Sequence, residues 1–487
     1  MSEEKDTSKS SLRIGKRAFL ASVIIIFCLM MFAGALTKIL PAGSYSRVEK
    51  EGRTVIVPGS FSYTERPDYP FWRWFTAPGE VFAGSDSLTL ITIVIFIIFI
   101  SGAFSILENA GVMEFILMRI VDRFKARKYL LMAAVIFLFM FLAAFLGIYE
   151  AMVPLIVFIV PLAVSLGWDS LTGLGMSLLP LAFGFAAAVT NPFTIGVAQR
   201  IAELPLFSGA WLRLIFFCFV FGIVYWFVRR HAKKVEAEPA SSITYKLDEK
   251  LRMNLKEEDR GSAKNPKRMK RATIFFGICM GTAILFILAT SRVSSMTDFA
   301  FPVMALLFFI GGIGGGALAG SRAKKIAKTF FTGALGILPA ILLLAMAYSV
   351  KHIIDRGGII DTILYQASDW IAGRPEIFAA FLIYLLTLVM NFFIGSASAK
   401  AFLMMPILTP LADLVGITRQ TAVLAFDFGD GFSNVFYPSN ALLLIALGFT
   451  VVGYPKWVRW TFPLQLIMLT LTGLFLLVAV LVGFGPF

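Results

Sequence analysis

The chain has 487 residues, of which 58% are hydrophobic and 15% are charged, with a net charge of +14 and a mean hydropathy of +0.82. A soluble protein of this length needs a larger polar surface, so this composition excludes a soluble domain and predicts an all-helical, polytopic membrane protein. The basic residues lie in short segments between apolar runs, which is typical of cytoplasmic loops and argues against a nucleic-acid partner. The expected partner of the surface is therefore the lipid bilayer.

The distribution of positive charge predicts the course of the first segments. A basic tail, 1–17, places the N-terminus in the cytoplasm. An apolar run, 18–40, is long enough to cross the bilayer outward. A polar loop, 41–85, then lies outside, and a helix over 86–107 returns to a basic cluster on the cytoplasmic side.

The next segment, 129–167, has two apolar arms with no polar loop between them. Its centre reads Gly-Ile-Tyr-Glu-Ala over 147–151, and a glutamate exposed to lipid would be costly. Two full crossings are one interpretation. A re-entrant hairpin whose tip is buried in protein explains both features, and we prefer it.

A broken helix is predicted over 170–205, because Pro192 removes a backbone donor within an apolar run. After one more crossing, a basic segment over 229–271 forms the predicted cytoplasmic linker between two halves. A connecting helix within 272–298 follows it.

The second half repeats the order of the first. The stretch 353–364 matches 106–117, and three further anchors match at nearly the same offset of about half the chain. The sequence thus predicts two repeats, 18–228 and 299–487. Charge places their matched joints on opposite membrane sides, which makes the repeats inverted.

The second repeat therefore contains its own hairpin, 375–416, and its own broken helix, 418–453. After the matched glycine of each repeat comes an amphipathic piece, 112–127 or 359–373. An ordinary connecting loop is one interpretation of these pieces. The other is an arm at the membrane interface that links a fixed scaffold to a moving part.

Hairpin tips and helix breaks point unpaired backbone groups into a cavity, and so they form the candidate site. The second break carries the densest polar cluster of the apolar regions, 427–440. The candidate substrate ligands at these four places are Tyr149, Glu150, Thr190, Asn191, Ser396, Ser398, Lys400, Asn434, Ser439 and Asn440.

A coupling cation is the second expectation for this site. Small oxygen donors suit Na⁺, and a carboxylate can instead carry a proton. No other metal or cofactor is expected. The candidate cation-coupling residues are Gly147, Glu150, Asn191, Gly395, Asp427, Asp430 and Ser433.

Two other function classes are less consistent with the sequence. A channel would need a polar stripe along several helices, whereas polar groups here cluster at mid-depth. An intramembrane enzyme would need a catalytic pair, and Asp427 with Asp430 on a helix break is weak evidence for one. We therefore expect a transporter and no enzymatic activity.

Four stretches resemble the C4-dicarboxylate anaerobic carrier (DcuC-like) family and its YfcC branch: LGIYEAMVPLIVFIVPLAVSLGWDSLTG, AVTNPFTIGVA, SASAKAFLMMPILTPLADLVG and AFDFGDGFSNVFYPSN. The resemblance implies membership of the ion-transporter superfamily, with inverted repeats and two hairpins. It also implies an elevator mechanism, a homodimer, and sodium or proton coupling in a bacterial cytoplasmic (inner) membrane. Members of the branch carry provisional assignments to basic amino-acid antiport, and others to carboxylates.

The charges of the candidate site bear on which class of substrate it binds. Dicarboxylate members of the superfamily often carry Ser-Asn-Thr at both tips, and this chain does not. Glu150, Asp427 and Asp430 outnumber Lys400, and buried charge needs a partner. Lys400 could meet a substrate carboxylate or form a salt bridge with an aspartate.

The leading hypothesis is a secondary active transporter, either a symporter or an antiporter, of amino acids, with basic amino acids as the first choice. A Na⁺- or H⁺-coupled C4-dicarboxylate carrier is the alternative.

Overall fold

The computed structural model describes residues 16–50, 53–260, 265–290 and 300–485. Within these ranges, ten helical segments are long and apolar enough to cross a membrane. The prediction of a mostly helical, multi-pass membrane protein is confirmed. Most of the predicted tail, 1–17, and the last part of the predicted segment 272–298 lie outside the described residues.

The first half consists of long apolar helices joined by short connections. The helix pair α5 and α6 forms the first predicted hairpin, and α7 and α8 are the two parts of the first broken helix. The helices are α1 Lys16–Ile39, α2 Arg73–Glu80, α3 Ser87–Ala110, α4 Val112–Phe124, α5 Lys128–Leu146, α6 Val153–Ser165, α7 Ser170–Ala187, α8 Ile195–Ile201 and α9 Ala210–Ala237.

Among the described residues of the centre and the second half there are eleven further α-helices. Here α16 and α17 form the second hairpin, and α18 and α19 are the two parts of the second broken helix. The helices are α10 Tyr245–Arg260, α11 Pro266–Thr290, α12 Ala300–Leu318, α13 Ala323–Gly336, α14 Leu338–Gly357, α15 Ile360–Ile371, α16 Glu376–Phe393, α17 Ala397–Val415, α18 Arg419–Asp430, α19 Ala441–Gly448 and α20 Tyr454–Leu481.

The all-helical prediction needs one correction, in the polar loop 41–85. Two antiparallel ladders form there, pairing β1 with β4 and β2 with β3. Val48 in β2 and Thr54, Val55 and Ile56 in β3 are β-branched, and such residues favour paired strands over a helix. The strands are β1 Gly43–Ser44, β2 Arg47–Lys50, β3 Arg53–Ile56 and β4 Ser62–Tyr63.

The helices pack as two groups. One group contains α1, α3 and α11 to α14, which contact one another along their lengths. The other contains the two hairpins, the two broken helices, α9 and α20. The amphipathic helix α4 contacts both groups, whereas α15 contacts α16, α17 and β1. Across the boundary, α14 contacts α19 and α1 contacts α20.

The same joint begins each amphipathic helix. Gly111 ends α3 with φ 79°, and Gly358 ends α14 with φ 65°. Both values lie in the left-handed region, where a side chain is strained and glycine is not. The two stretches matched in the sequence thus have the same local backbone.

The basic segment 229–271 is largely helical rather than an extended linker, because α9 continues into it and α10 follows. It docks on the start of α7. Ser242 Oγ donates to the Asp169 carboxylate (2.6 Å), and the backbone N–H of Ser170 donates to the Asp248 carboxylate (3.1 Å). Both aspartates are buried.

The Asp169 carboxylate caps α7 by accepting from the backbone N–H of Thr172 (2.8 Å). Burial alone would raise its pKa, but the contacts from His231, Ser242 and Thr172 outweigh burial and lower that pKa to about 2. His231 Nε2 lies 2.9 Å from the Asp169 carboxylate. The cap is therefore charged at physiological pH.

Candidate functional site

The tip of the first hairpin lies directly against the first helix break. A Cβ on Gly147 would lie 2.3 Å from Asn191 Oδ1, so a larger residue would force the two segments apart. Thr190 Oγ1 donates to the Phe145 carbonyl (3.0 Å), and Asn191 Nδ2 donates to the Ala143 carbonyl (3.4 Å). Side chains from the break thus donate hydrogen bonds to backbone carbonyls in the last turn of α5.

Asn191 also shapes the break itself. Its Oδ1 accepts from the backbone N–H groups of Phe193 (2.9 Å) and Thr194 (3.3 Å). This turn precedes α8 and orders the backbone between the two parts of the helix. Asn191 is fully buried.

The remaining tip residues of the first hairpin are Tyr149 and Glu150. Tyr149 is buried, with its ring centre 5.0 Å from that of Phe185. The backbone of Glu150 begins a short 3₁₀ turn. Its side chain lies outside what the structure describes, so its predicted role stays a prediction.

The second break makes the same two contacts as the first. Ser439 Oγ donates to the carbonyl of Phe392, at the end of α16 (2.6 Å). Asn440 Oδ1 accepts from the backbone N–H of Leu443 (3.2 Å) and caps α19. Asn440 Nδ2 also donates to Asn434 Oδ1 (3.2 Å).

A fully buried ion pair lies beside the second break. Lys400 Nζ pairs with the Asp430 carboxylate and donates to Asn391 Oδ1. Asn391 Nδ2 in turn donates to Ser433 Oγ (2.7 Å) and to the Asp430 carbonyl (2.9 Å). Of the two roles considered for Lys400, the structure contains the salt bridge. Asn391 was not anticipated from the sequence.

The two halves meet at these segments. Ser398 Oγ, at the second tip, donates to the Phe193 carbonyl in the first break (2.8 Å). A Cβ on Gly431, in the second break, would lie 2.2 Å from Ala186 Cα at the end of α7. Residues from the second tip and from both breaks are thus in direct contact.

Arg213 of α9 is the main site residue that the sequence analysis missed. Its side chain is fully buried and donates to the carbonyls of Ala188 (3.2 Å) and Val189 (3.2 Å) in the first break. It also donates to the Ser208 carbonyl (2.9 Å) and the Phe207 carbonyl (3.3 Å). A lone arginine within an apolar run was the signal available.

Two aromatic residues of α20 hold the second break in the corresponding way. Trp457 Nε1 donates to the Val435 carbonyl (2.6 Å), and the Tyr454 hydroxyl donates to the Phe436 carbonyl (2.8 Å). The last helix of each half therefore donates to two successive carbonyls of a break.

Asp427 is the least satisfied polar group of the site. It is fully buried, and neither carboxylate oxygen has a hydrogen-bond partner of good geometry among the described residues. Thr194 Oγ1 lies beside it and is also unsatisfied, and the Arg213 guanidinium is within electrostatic reach. Such orphaned oxygens require an explanation, and a bound Na⁺ or a proton would supply one.

The two hairpin tips differ in exposure. Gly395 and Ser396 of the second tip are exposed, whereas Tyr149 of the first tip is buried. Ser396 Oγ caps α17 by accepting from the backbone N–H of Ala399 (3.4 Å). In this conformation the second tip is the accessible one.

The chain matches a known protein family over nearly its whole length. The sequence model of the family described as "C4-dicarboxylate anaerobic carrier" matches residues 19–481. The chain therefore belongs to this family, and it is a membrane transporter of that type.

Two relatives align over nearly the whole chain. One, from Escherichia coli strain K12, is named "Putative basic amino acid antiporter YfcC"; it is 28% identical over 95% of this chain and 96% of its own length. The other, from Haemophilus influenzae strain ATCC 51907, has a name that assigns no activity; it is 24% identical over 95% of this chain and 97% of its own length.

Two solved transporter structures are also similar. The YdaH transporter of Alcanivorax borkumensis is 17% identical, with a TM-score of 0.43 over 96% of this chain and 100% of its own. MtrF of Neisseria gonorrhoeae, described as one of a class of antimetabolite efflux pumps, is 16% identical, with a TM-score of 0.42 over 96% of this chain and 95% of its own.

Proposed function

We propose that the protein is a secondary active transporter of small charged amino acids, basic ones first, across the cytoplasmic membrane of a bacterium. The observation that carries this proposal is the meeting of the second tip with both breaks, where Ser398 donates to the Phe193 carbonyl. Irregular backbone at membrane depth is tolerated where it lines a cavity, and a solute site is the usual reason for it. The name of the Escherichia coli relative supports the choice of basic amino acids.

Two inverted repeats moving as an elevator are the proposed mechanism. Two pairs of equivalent contacts support the repeat. Thr190 and Ser439 each donate to a carbonyl at the end of the first arm of the neighbouring hairpin. Asn191 and Asn440 each accept from a backbone N–H at the start of the next helix. The elevator is supported by the separate packing of the two helix groups. The hairpin group would carry the solute past the other group, which would form the fixed scaffold of a homodimer with its N-termini in the cytoplasm.

Coupling to Na⁺ or H⁺ is proposed at Asp427 and Thr194. Both contribute hard oxygen atoms that are buried and unsatisfied within the described chain. A coupling cation would neutralise the Asp427 carboxylate and so lower the cost of its burial. The same residues could do this for either ion.

A carboxylate substrate remains the second candidate, and Arg213 is the observation that favours it. Arg213 and Lys400 balance Asp427 and Asp430, so the described charges of the site leave no negative surplus. Glu150 alone would add a net negative charge to this balance. The electrostatic preference for a cationic solute is accordingly weaker than the sequence suggested.

Counterflow in proteoliposomes tests the proposal. Vesicles loaded with unlabelled arginine, lysine, ornithine or succinate should accumulate the corresponding labelled solute, with and without a Na⁺ gradient. We expect exchange of the basic amino acids and none of succinate. Exchange of succinate alone would replace the leading proposal by the alternative, and exchange of none of the four would remove both.

A further inference from the structure

Two adjoining cavities open between the loop 41–85 and the second hairpin. One, of about 380 Å³, is lined by Ser396 and Ser398 of the tip. The other, of about 340 Å³, is lined by Asp355 and by other residues near the joint of α14 and α15. Arg47, Ala399 and Leu403 line both, so the two spaces adjoin; together they are called the passage, and the first of them reaches the exposed tip.

Arg47 of β2 lies at the junction of the two cavities. Its guanidinium donates to both carboxylate oxygens of Asp361 (2.8 Å each) and to the Tyr45 carbonyl (3.2 Å). Its side chain nevertheless remains 40% exposed. A guanidinium carries five N–H donors, so further donors remain for a ligand carboxylate.

Arg47 is held in place rather than carried on a free loop. The backbone N–H of Tyr45 donates to the Asp361 carboxylate (2.9 Å). The Phe61 ring stacks on the Tyr365 ring of α15, with ring centres 4.1 Å apart. The strands are thus fixed to α15, and a ligand bound there would lose little to loop ordering.

Asp355 offers the opposite charge on the same passage. Lys351 Nζ is 2.6 Å from an Asp86 oxygen but 4.0 Å from Asp355, so its closer ion pair is with Asp86. The Asp355 side chain is 33% exposed. Its carboxylate therefore has oxygens free to accept from an ammonium group.

We propose that this passage is an entry site for an amino-acid zwitterion, whose α-carboxylate binds Arg47 and whose α-ammonium binds Asp355. The inference rests on the proposed function and narrows it, because a dicarboxylate would be repelled by Asp355 and Asp361. Asp355 and Asp361 line the passage together with Arg47 and Lys351, and Asp86 pairs with Lys351 from outside the lining. These three acidic residues against two basic ones favour a solute with an additional positive charge. Each cavity also falls in the size range of small-molecule sites.

The carboxylate contact is tested with arginine and agmatine, which is arginine without the α-carboxylate. Each is added as a competitor of the uptake of labelled arginine into proteoliposomes. Arg47→Gln should raise the KM for arginine about tenfold with little change in Vmax, and should leave the inhibition constant of agmatine unchanged. Arg66→Gln, an exposed arginine of the same loop that lines neither cavity, is the matched control and should change neither.

The ammonium contact is tested with an arginine analogue that lacks the α-amino group. Asp355→Asn should raise the KM for arginine about tenfold and leave inhibition by this analogue unchanged. Asp68→Asn, an exposed acid of the same loop, is the control. Asp355 does not hold β2, so this variant remains informative if Arg47→Gln lowers the thermal stability.

The outcomes separate this inference from the proposed function. Wild-type transport of arginine with unchanged KM values in both variants would overturn the entry site and leave the transporter intact. An equal loss of affinity for arginine and for each truncated analogue would also overturn it, because the contacts would then not be with the α-groups. No transport of arginine by the wild type would remove the proposed function and this inference together.

Discussion

Thr190 in the first helix break and Ser439 in the second make the same contact with the end of the neighbouring hairpin arm, and Asn191 and Asn440 make the same turn or cap. The charges around the two breaks nevertheless differ. The carbonyls of the first break are held by a guanidinium, and those of the second by an indole and a phenol.

The two breaks therefore share their uncharged contacts and differ in their charged groups. The framework of hydroxyl and amide contacts is common to both halves and sets the backbone shape. The ionisable groups come mainly from the second half, with Asp427, Asp430 and Lys400 on one side and Arg213 from the first half facing them. The common contacts should therefore be equal in strength, and the charged ones should be specific to one half.

The greatest loss of stability is expected at the ion pair of Lys400 and Asp430, which belongs to the second break alone. Lys400→Met leaves the Asp430 carboxylate buried without its partner and should lower the free energy of unfolding by about 3–5 kcal/mol. The double variant with Asp430→Asn should recover most of that stability. Thermal unfolding of purified protein followed by size-exclusion chromatography measures both.

Transport distinguishes a structural pair from a functional one. We expect both Lys400→Met and the double variant to lose uptake, because the pair lies within the proposed site. Full uptake by the restored double variant would show that the pair only stabilises the fold. A single variant as stable as the wild type would contradict the buried pair itself.

The next prediction concerns the stability lost when a side chain that donates to the carbonyls of one break is removed. Arg213→Met removes the donors of four hydrogen bonds to backbone carbonyls and should cost about 4 kcal/mol, at about 1 kcal/mol for each hydrogen bond lost. Trp457→Phe removes one donor from the second break and should cost about 1 kcal/mol. Equal losses of melting temperature in the two variants would contradict the stronger hold on the first break.

The starts of the two broken helices differ in pH dependence. Asp169 caps α7 with a pKa of about 2, below the ordinary value of 3.8, so its stabilisation is complete above about pH 4 and is lost as the pH falls through 2. The contribution should be about 2 kcal/mol at pH 7 and about half of that at pH 3.

Asp169→Asn should therefore destabilise the protein at pH 7 and have a smaller effect at pH 3. The neutral cap at the start of α18 is Thr418, which accepts from the backbone N–H of Thr421 (3.1 Å). Thr418→Ala should cost about 1 kcal/mol at either pH. Melting curves of both variants at the two pH values make the comparison, and a pH-independent loss for Asp169→Asn would contradict the charged cap.

The least loss of stability is expected from the asparagines that make equivalent contacts in both breaks. Asn191→Ala and Asn440→Ala each remove a side-chain acceptor for the next helix and should each cost about 1 kcal/mol. Their losses of stability should agree within about 0.5 kcal/mol. A loss confined to one of them would show that the two breaks are not built alike.

Much of this framework could be predicted from the sequence, because glycine and proline restrict the backbone locally. Gly111, Gly358 and Pro192 mark joints and a break that the structure contains. Arg213 could not be assigned, since nothing along one apolar helix shows which carbonyls lie opposite it.

The strands of the loop 41–85 were missed for a different reason. Two four-residue strands give a weak periodic signal, and the ion pair between Arg47 and Asp361 that holds β2 to α15 joins residues far apart in the sequence. The partner of Lys400 was likewise left open, because the sequence offered several aspartates and no distances.

One segment from each half is proposed to contact the same solute, and protection of introduced thiols by that solute tests this shared site. Cys28, Cys218 and Cys279 are first replaced by serine, and single cysteines are then introduced as Thr190→Cys and Ser398→Cys. We expect the solute identified by counterflow to slow labelling of both cysteines with the same half-effective concentration. Protection of one cysteine without the other, or of neither by a solute that the variants transport, would contradict a shared site.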